Sequence, residues 1–539
     1  MLNLIPKPKY FEEKFGEFVI NSEKTIFADD CLVYAREVFC NFIESTCGFK
    51  PQVVVSRKAD IRFIYDRHVH KEGYVLDADV DGLVIKASHP TGAFYAVQSL
   101  RQLTRGDLLE EPEFLTLHAV HIEDEPRYAF RALMLDEARY FHGVDTVKNI
   151  LDMMAYHKLN VFHWHLTDNE GWRIEIKKYP LLTEIGGSRK GTQTMAWGNQ
   201  VIDWTLHEGY YTQNEIKEIV AYAERLGIMI IPEIDAPAHF GAAIAAYKEL
   251  SCANVEMETP ILHGATPEEH GIGQVIACAG KNSTYQFIYD VIDEVSALFP
   301  APYFHIGGDE APKVEWKKCP HCQKVIEEMG LKNEEELQGY FNNKIAVYLK
   351  RKGKRLIGWN EILTAKKLDK DTIAQYWTFN RDMNVENYLL SGHDVILSKH
   401  QAFYFDMPYA QNRLKTTYEF EPEKYHITRA QEGILGVEAT LWTEWMPNEE
   451  RIDYQLYPRM EALAEVAWTP KEQRNYKDFI ARLKKFLPIL DRYGVEYCPL
   501  SLANPRGLKR VKIIKEFNKR NAHVEYNHAL VVRRRKKYR

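Results

Sequence analysis

The feature that most limits the fold of this chain is an eightfold alternation, from Phe130 onward, of short apolar runs with amphipathic stretches. The runs are 130–135, 160–166, 228–234, 303–306, 355–359, 372–377, 394–397 and 434–441. They are rich in β-branched and aromatic residues and too short for ordinary helices, so they read as strands. Between them the apolar spacing changes to the helical period. Val147, Ile150, Leu151 and Met154 form one stripe, and Ile216, Ile219, Val220 and Ala223 a second. Phe287, Ile288, Val291, Ile292 and Val295 form a third. Thr212-x-x-Glu215 and Ser283-x-x-Gln286 read as capping boxes that open two of these helices. Strands alternating with helices build parallel sheets, and eight such units over roughly 350 residues predict an α/β fold, a (β/α)8 barrel with insertions.

The leading part reads differently, with a strand near 83–88 and a helix near 91–103, as in a smaller α+β domain. A chain of 539 residues is also too long for one ordinary domain. The expected division is an N-terminal α+β domain at 1–126, the barrel at 127–497 and an extension without barrel period at 498–539.

A formal net charge of −6 gives no reason to expect nucleic acid as a partner, and the basic stretch 533–539 reads as a solvated tail. No charged segment followed by an apolar core opens the sequence, and no apolar run reaches about eighteen residues. Neither a signal peptide nor a membrane span is expected, and the chain reads as cytoplasmic, although a secreted chain trimmed of its leader would look the same. Eight cysteines do not make a disulfide framework at this length. Cys319-Pro320-His321-Cys322 has a Cys-x-x-Cys spacing that can hold zinc or run redox chemistry. A structural site needs four ligands, and no second pair lies nearby in sequence, so the motif reads as a loop turn.

Barrel active sites lie at the C-terminal ends of the strands. There the sequence collects Arg131 and Asp136, then His163, His165, Asp168, Asn169 and Glu170, then Glu233, Asp235 and His239. The fourth run ends in His305-Ile306-Gly307-Gly308-Asp309-Glu310, where two glycines allow a tight turn and two carboxylates follow at once. Trp359, Glu361, Trp377, Tyr404, Asp406, Trp442 and Glu444 complete the rim. Indole faces pack on the C–H surface of a pyranose, and charged groups bind its hydroxyls, so the mixture suits a saccharide. His163-Trp164-His165 also has metal-ligand spacing, which leaves a metal hydrolase as a competing reading.

At these residues the chain resembles glycoside hydrolase family 20, the β-N-acetylhexosaminidases. The resemblance runs through Arg131-x4-Asp136, His163-x-His165-Leu166-Thr167-Asp168, Gly171-Trp172-Arg173 and Pro232-Glu233-Ile234-Asp235 to His239. It continues through the run ending in Asp309-Glu310, then Gly358-Trp359, Tyr404-x-Asp406 and Leu441-Trp442-Thr443-Glu444. It departs only at Ala238, where relatives often carry glycine before the histidine.

The resemblance implies retaining hydrolysis in which the substrate's 2-acetamido oxygen, not an enzyme nucleophile, attacks the anomeric carbon. On that basis Glu310 is the general acid and base, Asp309 holds the acetamido N–H, and Tyr404 donates to the acetamido oxygen. Trp359, Trp377 and Trp442 wall the pocket. Arg131, Asp406 and Glu444 bind the terminal hydroxyls of a non-reducing-end sugar, and Asp168 and His239 orient Glu310. No cofactor or metal is required, and the implied partners are glycans containing N-acetylhexosamine. An acid working near neutral pH needs a raised pKa, which an apolar pocket with a neighbouring carboxylate is expected to give Glu310. Release of a disaccharide and a non-catalytic lectin are the other readings that the rim allows.

Overall fold

A computed structural model describes residues 3–194, 201–254, 256–261, 276–364, 368–378, 385–422 and 433–518. The basic stretch 533–539 lies outside the described residues. The chain forms two compact units. The first contains residues up to Arg131 together with Asp152–Asn160 and Tyr457–Tyr497. The second contains Ala132–Leu151, Val161–Leu456 and the described residues from Cys498 on. Two later segments of the chain thus pack with the first unit.

The first unit is built on a mixed seven-stranded sheet. Its strands run in spatial order Tyr10–Ile20, Leu115–Asp124, Tyr74–Ala78, Leu83–Ala87, Ile61–Tyr65, Thr25–Ala28 and Gln52–Val53. Tyr74–Ala78 and Leu83–Ala87 alternate buried with half-buried side chains, as strands with one dry face do. Helices Val33–Cys47 and Pro90–Thr104 supply apolar partners such as Phe39, Ile43, Phe94 and Val97, all buried. The returning segments add buried charge. The Lys158 ammonium lies 2.9 Å from Asp124, whose other oxygen accepts the Trp468 indole N–H at 2.8 Å.

The second unit holds a closed barrel of eight parallel strands, numbered here one to eight in chain order: Phe130–Asp136, Val161–His165, Met229–Glu233, Tyr303–His305, Arg355–Trp359, Ile373–Tyr376, Val395–Leu397 and Ile434–Leu441. Seven of the predicted runs contain one of them, and the first strand runs one residue past its expected end, to Asp136. Every residue of strands one, two and six is buried, which explains why these runs are mostly apolar rather than alternating, the polar exceptions Arg131, Asp136, His163, His165 and Gln375 being buried with them. Helix Gln213–Arg225 buries the predicted stripe and opens with the predicted capping box, in which Thr212 and Glu215 each satisfy the other's backbone N–H. The second expected box does not form. Helix Asn282–Leu298 begins before Ser283, and Lys281 at its N-cap instead sends its ammonium to Glu249 O and Ser251 O.

Candidate active site

Strand register sets the floor of the site. Asp136 pairs with His165, His165 with Glu233, and Glu233 with His305, so four polar residues lie side by side at the C-terminal ends of strands one to four. Glu233 accepts from His165 Nδ1 at 2.5 Å and from the Trp359 indole N–H at 2.9 Å. Burial opposes ionisation of Glu233, but His305, His165 and His163 outweigh it and hold its pKa well below the carboxylate range. Burial likewise opposes charge on His163, yet Glu438 and Glu233 push its pKa up to about 9. These side chains therefore form a buried ionic web beneath the cleft.

The turn after strand four is tight, as its two glycines suggest. Gly307 and Gly308 have φ of 65° and 90°, and Glu310, with a full side chain, has φ of 47°. A Cβ on Gly307 would fall 1.7 Å from Asp235 Oδ1, so only glycine fits. The Gly308 N–H donates to that same oxygen at 3.2 Å, and Gln338 donates to Gly308 O at 2.7 Å. The backbone that carries Asp309 and Glu310 is thus fixed from two sides. His239 also sits at positive φ, 52°, just past Ala238. Two bulky residues in the left-handed region at one cleft are the kind of backbone cost that functional sites carry.

His239 links the two carboxylates to the floor. Its Nε2 lies 3.7 Å from Asp309 Oδ2 and 3.6 Å from Glu310 Oε2, while its Nδ1 is 3.0 Å from Asp168 Oδ1. Burial disfavours charge on His239, but Asp168 and Asp309 outweigh it, and its pKa lies well above the ordinary histidine value. Asp168 Oδ2 takes further contacts from Arg139 Nη2 at 2.8 Å and His165 Nε2 at 2.9 Å. The two neighbouring acids then diverge. Burial and the adjacent Asp235 raise the Asp309 pKa well above the carboxylate range. The His239 imidazolium lowers that of Glu310, whose side chain is 58% exposed. The raised value expected for Glu310 thus falls on its neighbour, because Glu310 is wet and sits beside a cation.

Aromatic side chains line the opposite wall. Trp377 stacks on Tyr404 with ring centres 5.8 Å apart, and Trp442 lies 5.7 Å from Trp359 and 6.5 Å from Tyr404. The Trp377 indole N–H donates to Glu361 at 2.8 Å. Burial and the nearby Glu310 carboxylate push Glu361 up to about 7. Asp406 and Glu444 are buried at the same rim.

Arg131 does not reach that rim. It is the second residue of strand one, roughly 16 Å of extended chain before Asp136 at about 3.3 Å per residue. Its guanidinium is fully buried in the first unit, bonded to Glu72 at 2.7 Å, to Tyr95 OH at 3.0 Å and to Lys158 O at 2.8 Å. The arginine at the cleft is Arg139, just past the end of the strand. It lies within 3.4 Å of Asp136, Asp168 and Glu170, with its guanidinium 5.1 Å over the Trp442 ring. Burial works against its charge, but Asp168, Asp136, Glu170 and Glu444 overcome it. The sequence signal was available, since Arg139 follows Asp136 at the strand's C-terminal end while Arg131 precedes it. Glu361, on the turn after strand five, is a further cleft residue that the sequence placed at the rim without giving it a role.

His163, Glu233 and His305 lie close enough to share a cation, as do His165, Asp168 and Asp235, and Asp235, His239 and Asp309. In the first two groups some of the donor atoms already answer one another, His163 Nε2 lying 3.0 Å from Glu233 Oε2 and His165 Nε2 2.9 Å from Asp168 Oδ2. His163 Nδ1 is 2.8 Å from Glu438, and His305 Nδ1 is 2.9 Å from Glu233 Oε1.

Known proteins bear directly on this arrangement. Residues 128–471 match the model described as "Glycosyl hydrolase family 20, catalytic domain", and residues 1–125 match "Glycosyl hydrolase family 20, domain 2". The chain belongs to glycosyl hydrolase family 20. A beta-hexosaminidase of Porphyromonas gingivalis is 36% identical over 518 residues, which are 92% of this chain and 64% of that protein. The chain thus spans somewhat under two thirds of that relative's length. A beta-hexosaminidase of Vibrio furnissii is 35% identical over 491 residues, 86% of this chain and 76% of the relative. Among solved structures, the family 20 exo beta-N-acetylglucosaminidase of Vibrio harveyi in complex with N-acetylglucosamine superposes with a TM-score of 0.81 at 33% identity. That match covers 92% of this chain and 78% of the other.

Proposed function

We propose that this chain is an exo-acting, retaining β-N-acetylhexosaminidase that removes terminal β-linked GlcNAc or GalNAc with the help of the substrate's own acetamido group. The observation that carries the reading is the placement of Asp309 and Glu310 on one turn, both within 3.7 Å of His239 Nε2, at the mouth of an aromatic-lined cleft. Glu310 is the exposed member and can reach a glycosidic oxygen, to which it gives a proton before activating water in the second step. His239 holds its pKa down while water surrounds it. A sugar that covers it removes that water, and the resulting desolvation raises the pKa toward the range an acid needs.

Asp309 is the buried member. In its ionised form it accepts the acetamido N–H, and the positive charge of an oxazolinium-like intermediate beside it favours that ionised form and is offset by it. Tyr404, kept as a phenol by burial and by Asp406, is placed to donate to the acetamido oxygen. Fixing that oxygen against the anomeric carbon makes the attack intramolecular, an advantage of about 7 to 11 kcal/mol in well-oriented systems. Trp359, Trp377 and Trp442 would enclose the acetyl group and ring face. Arg139, Asp406 and Glu444 would hold the terminal hydroxyls, which is what limits cleavage to the chain end. The named activity and the bound N-acetylglucosamine of the Vibrio harveyi enzyme point to the same substrate class.

The test is hydrolysis of an aryl β-GlcNAc by wild type, Glu310→Gln and Asp309→Asn. Turnover with the β-anomer as first product is expected, with kcat lower by roughly 10²- to 10⁴-fold in Glu310→Gln. Equal turnover of an aryl β-glucoside, which lacks the acetamido group, would overturn the mechanism.

A further inference from the structure

Four cysteines from three separate stretches of the sequence meet on the segments that follow strands three and four. Cys319 and Cys322 open the helix Pro320–Glu328, and Cys278 and Cys252 come from the excursion between strands three and four. The four Sγ atoms all lie within 4.8 Å of one another. Cys278 Sγ is 3.7 Å from both Cys319 Sγ and Cys322 Sγ, and Cys252 Sγ is 3.9 Å from Cys322 Sγ. None of the four is in a disulfide.

These distances decide between chemistries. A disulfide would need about 2.05 Å and would give each sulfur a single partner, whereas Cys278 is equidistant from two. Four thiolates around one zinc at about 2.3 Å place tetrahedral sulfurs about 3.8 Å apart. A cluster of several irons and sulfides between the cysteines would spread them wider than this. We propose that Cys252, Cys278, Cys319 and Cys322 form a closed tetrathiolate site for a single structural zinc ion. On binding, the four thiols release their protons to solvent and the sulfurs supply all four ligands, so there is no open position for catalysis.

The surroundings are built for such a site. The Gly280 N–H points at Cys278 Sγ, the backbone amide that a thiolate ligand needs. A Cβ on Gly280 would fall 2.2 Å from the backbone of His321, so only glycine lets the two cysteine loops approach. The Trp316 indole donates to Ala277 O at 2.9 Å and the Tyr285 hydroxyl to Ala279 O at 2.7 Å. Lys281 ties Ser251 O and Asn254 Oδ1 together at 2.6 and 2.7 Å. The ion would clamp the excursion that follows His239 to the segment that follows Asp309 and Glu310. Cys319-x-x-Cys322 is therefore half of a site and the start of a helix, not the loop turn its local sequence suggests.

The test is the metal content of the full chain, purified from zinc-supplemented cells without a metal-affinity column. About one zinc per chain, with X-ray absorption showing four sulfurs at about 2.3 Å, is the expected result. Cys278→Ser and Cys322→Ser are expected to lose most of that zinc and to melt at lower temperature, whereas Cys498→Ser keeps it. Should the variants fail to fold, cobalt exchanged into the wild type is expected to give the charge-transfer and visible bands of a tetrahedral thiolate site. Wild type without stoichiometric metal, disulfides among these four cysteines in the non-reduced protein, or iron–sulfur absorption would each overturn the proposal.

Discussion

Two arginines near one strand have opposite surroundings, and the contrast can be measured. Arg139 touches three carboxylates and a tryptophan at the cleft, whereas Arg131 is enclosed by Glu72, Tyr95 and backbone carbonyls of the first unit. Arg139→Ala is expected to lower kcat/KM on aryl β-GlcNAc by roughly 100-fold, the scale of a lost charged hydrogen bond. Arg131→Ala leaves Glu72 without its buried partner and is expected to cost about 3–5 kcal/mol of stability in urea unfolding, with kcat/KM of the folded fraction unchanged. The reverse pattern would return Arg131 to the substrate. A second residue-level consequence follows from Asp168. Its charge helps to raise the pKa of His239, so the imidazolium persists to higher pH than an ordinary histidine and is lost as pH rises through that value. Asp168→Asn removes this support and lowers the histidine pKa. The alkaline limb of kcat/KM should therefore move to lower pH, and a limb that stays in place would remove His239 from the acid–base chemistry.

At the scale of elements, the sequence was most legible where burial is complete. Strands five and eight occupy their expected runs residue for residue, because a parallel strand covered on both faces leaves a largely apolar signature. The polar residues that interrupt these signatures at their C-terminal ends, Asp136, His165 and Glu233, are the ones that form the floor of the cleft. Reading failed where position along an element mattered more than residue type. Arg131 lies inside a correctly identified strand but at its wrong end. Ser283 has the spacing of a capping box, but the helix starts before it, and a cap acts only at the boundary. The cysteine cluster was invisible for a different reason. Its members come from three separate stretches, and only the packing of the segments after strands three and four makes them neighbours. The pKa order of Asp309 and Glu310 could not be read either, since it depends on which adjacent side chain faces water.

At the scale of the whole chain, the residues after the barrel bring support to the cleft that periodicity could not announce. Helix Gly507–Asn518 belongs to the second unit, and its Phe517 is buried with Tyr404, Met407 and Trp445, against which Trp377 and Trp442 also pack. Phe517 meets the Trp445 ring edge-on at 5.9 Å. Two of the proposed pocket walls and the proposed acetamido donor thus share one apolar cluster with this helix, much of whose remaining surface faces solvent. Truncating a buried phenylalanine costs about 3–5 kcal/mol where the structure must keep the cavity. A short peripheral helix can instead detach, which costs less and leaves the barrel folded. Phe517→Ala is accordingly expected to raise hydrogen exchange across 507–518 with a small change in the main melting transition. It should also raise KM for aryl β-GlcNAc several-fold as Trp442 and Tyr404 lose their backing. If exchange rises and KM does not, the helix packs on the barrel without supporting the pocket. If neither moves, Phe517 does not anchor the helix.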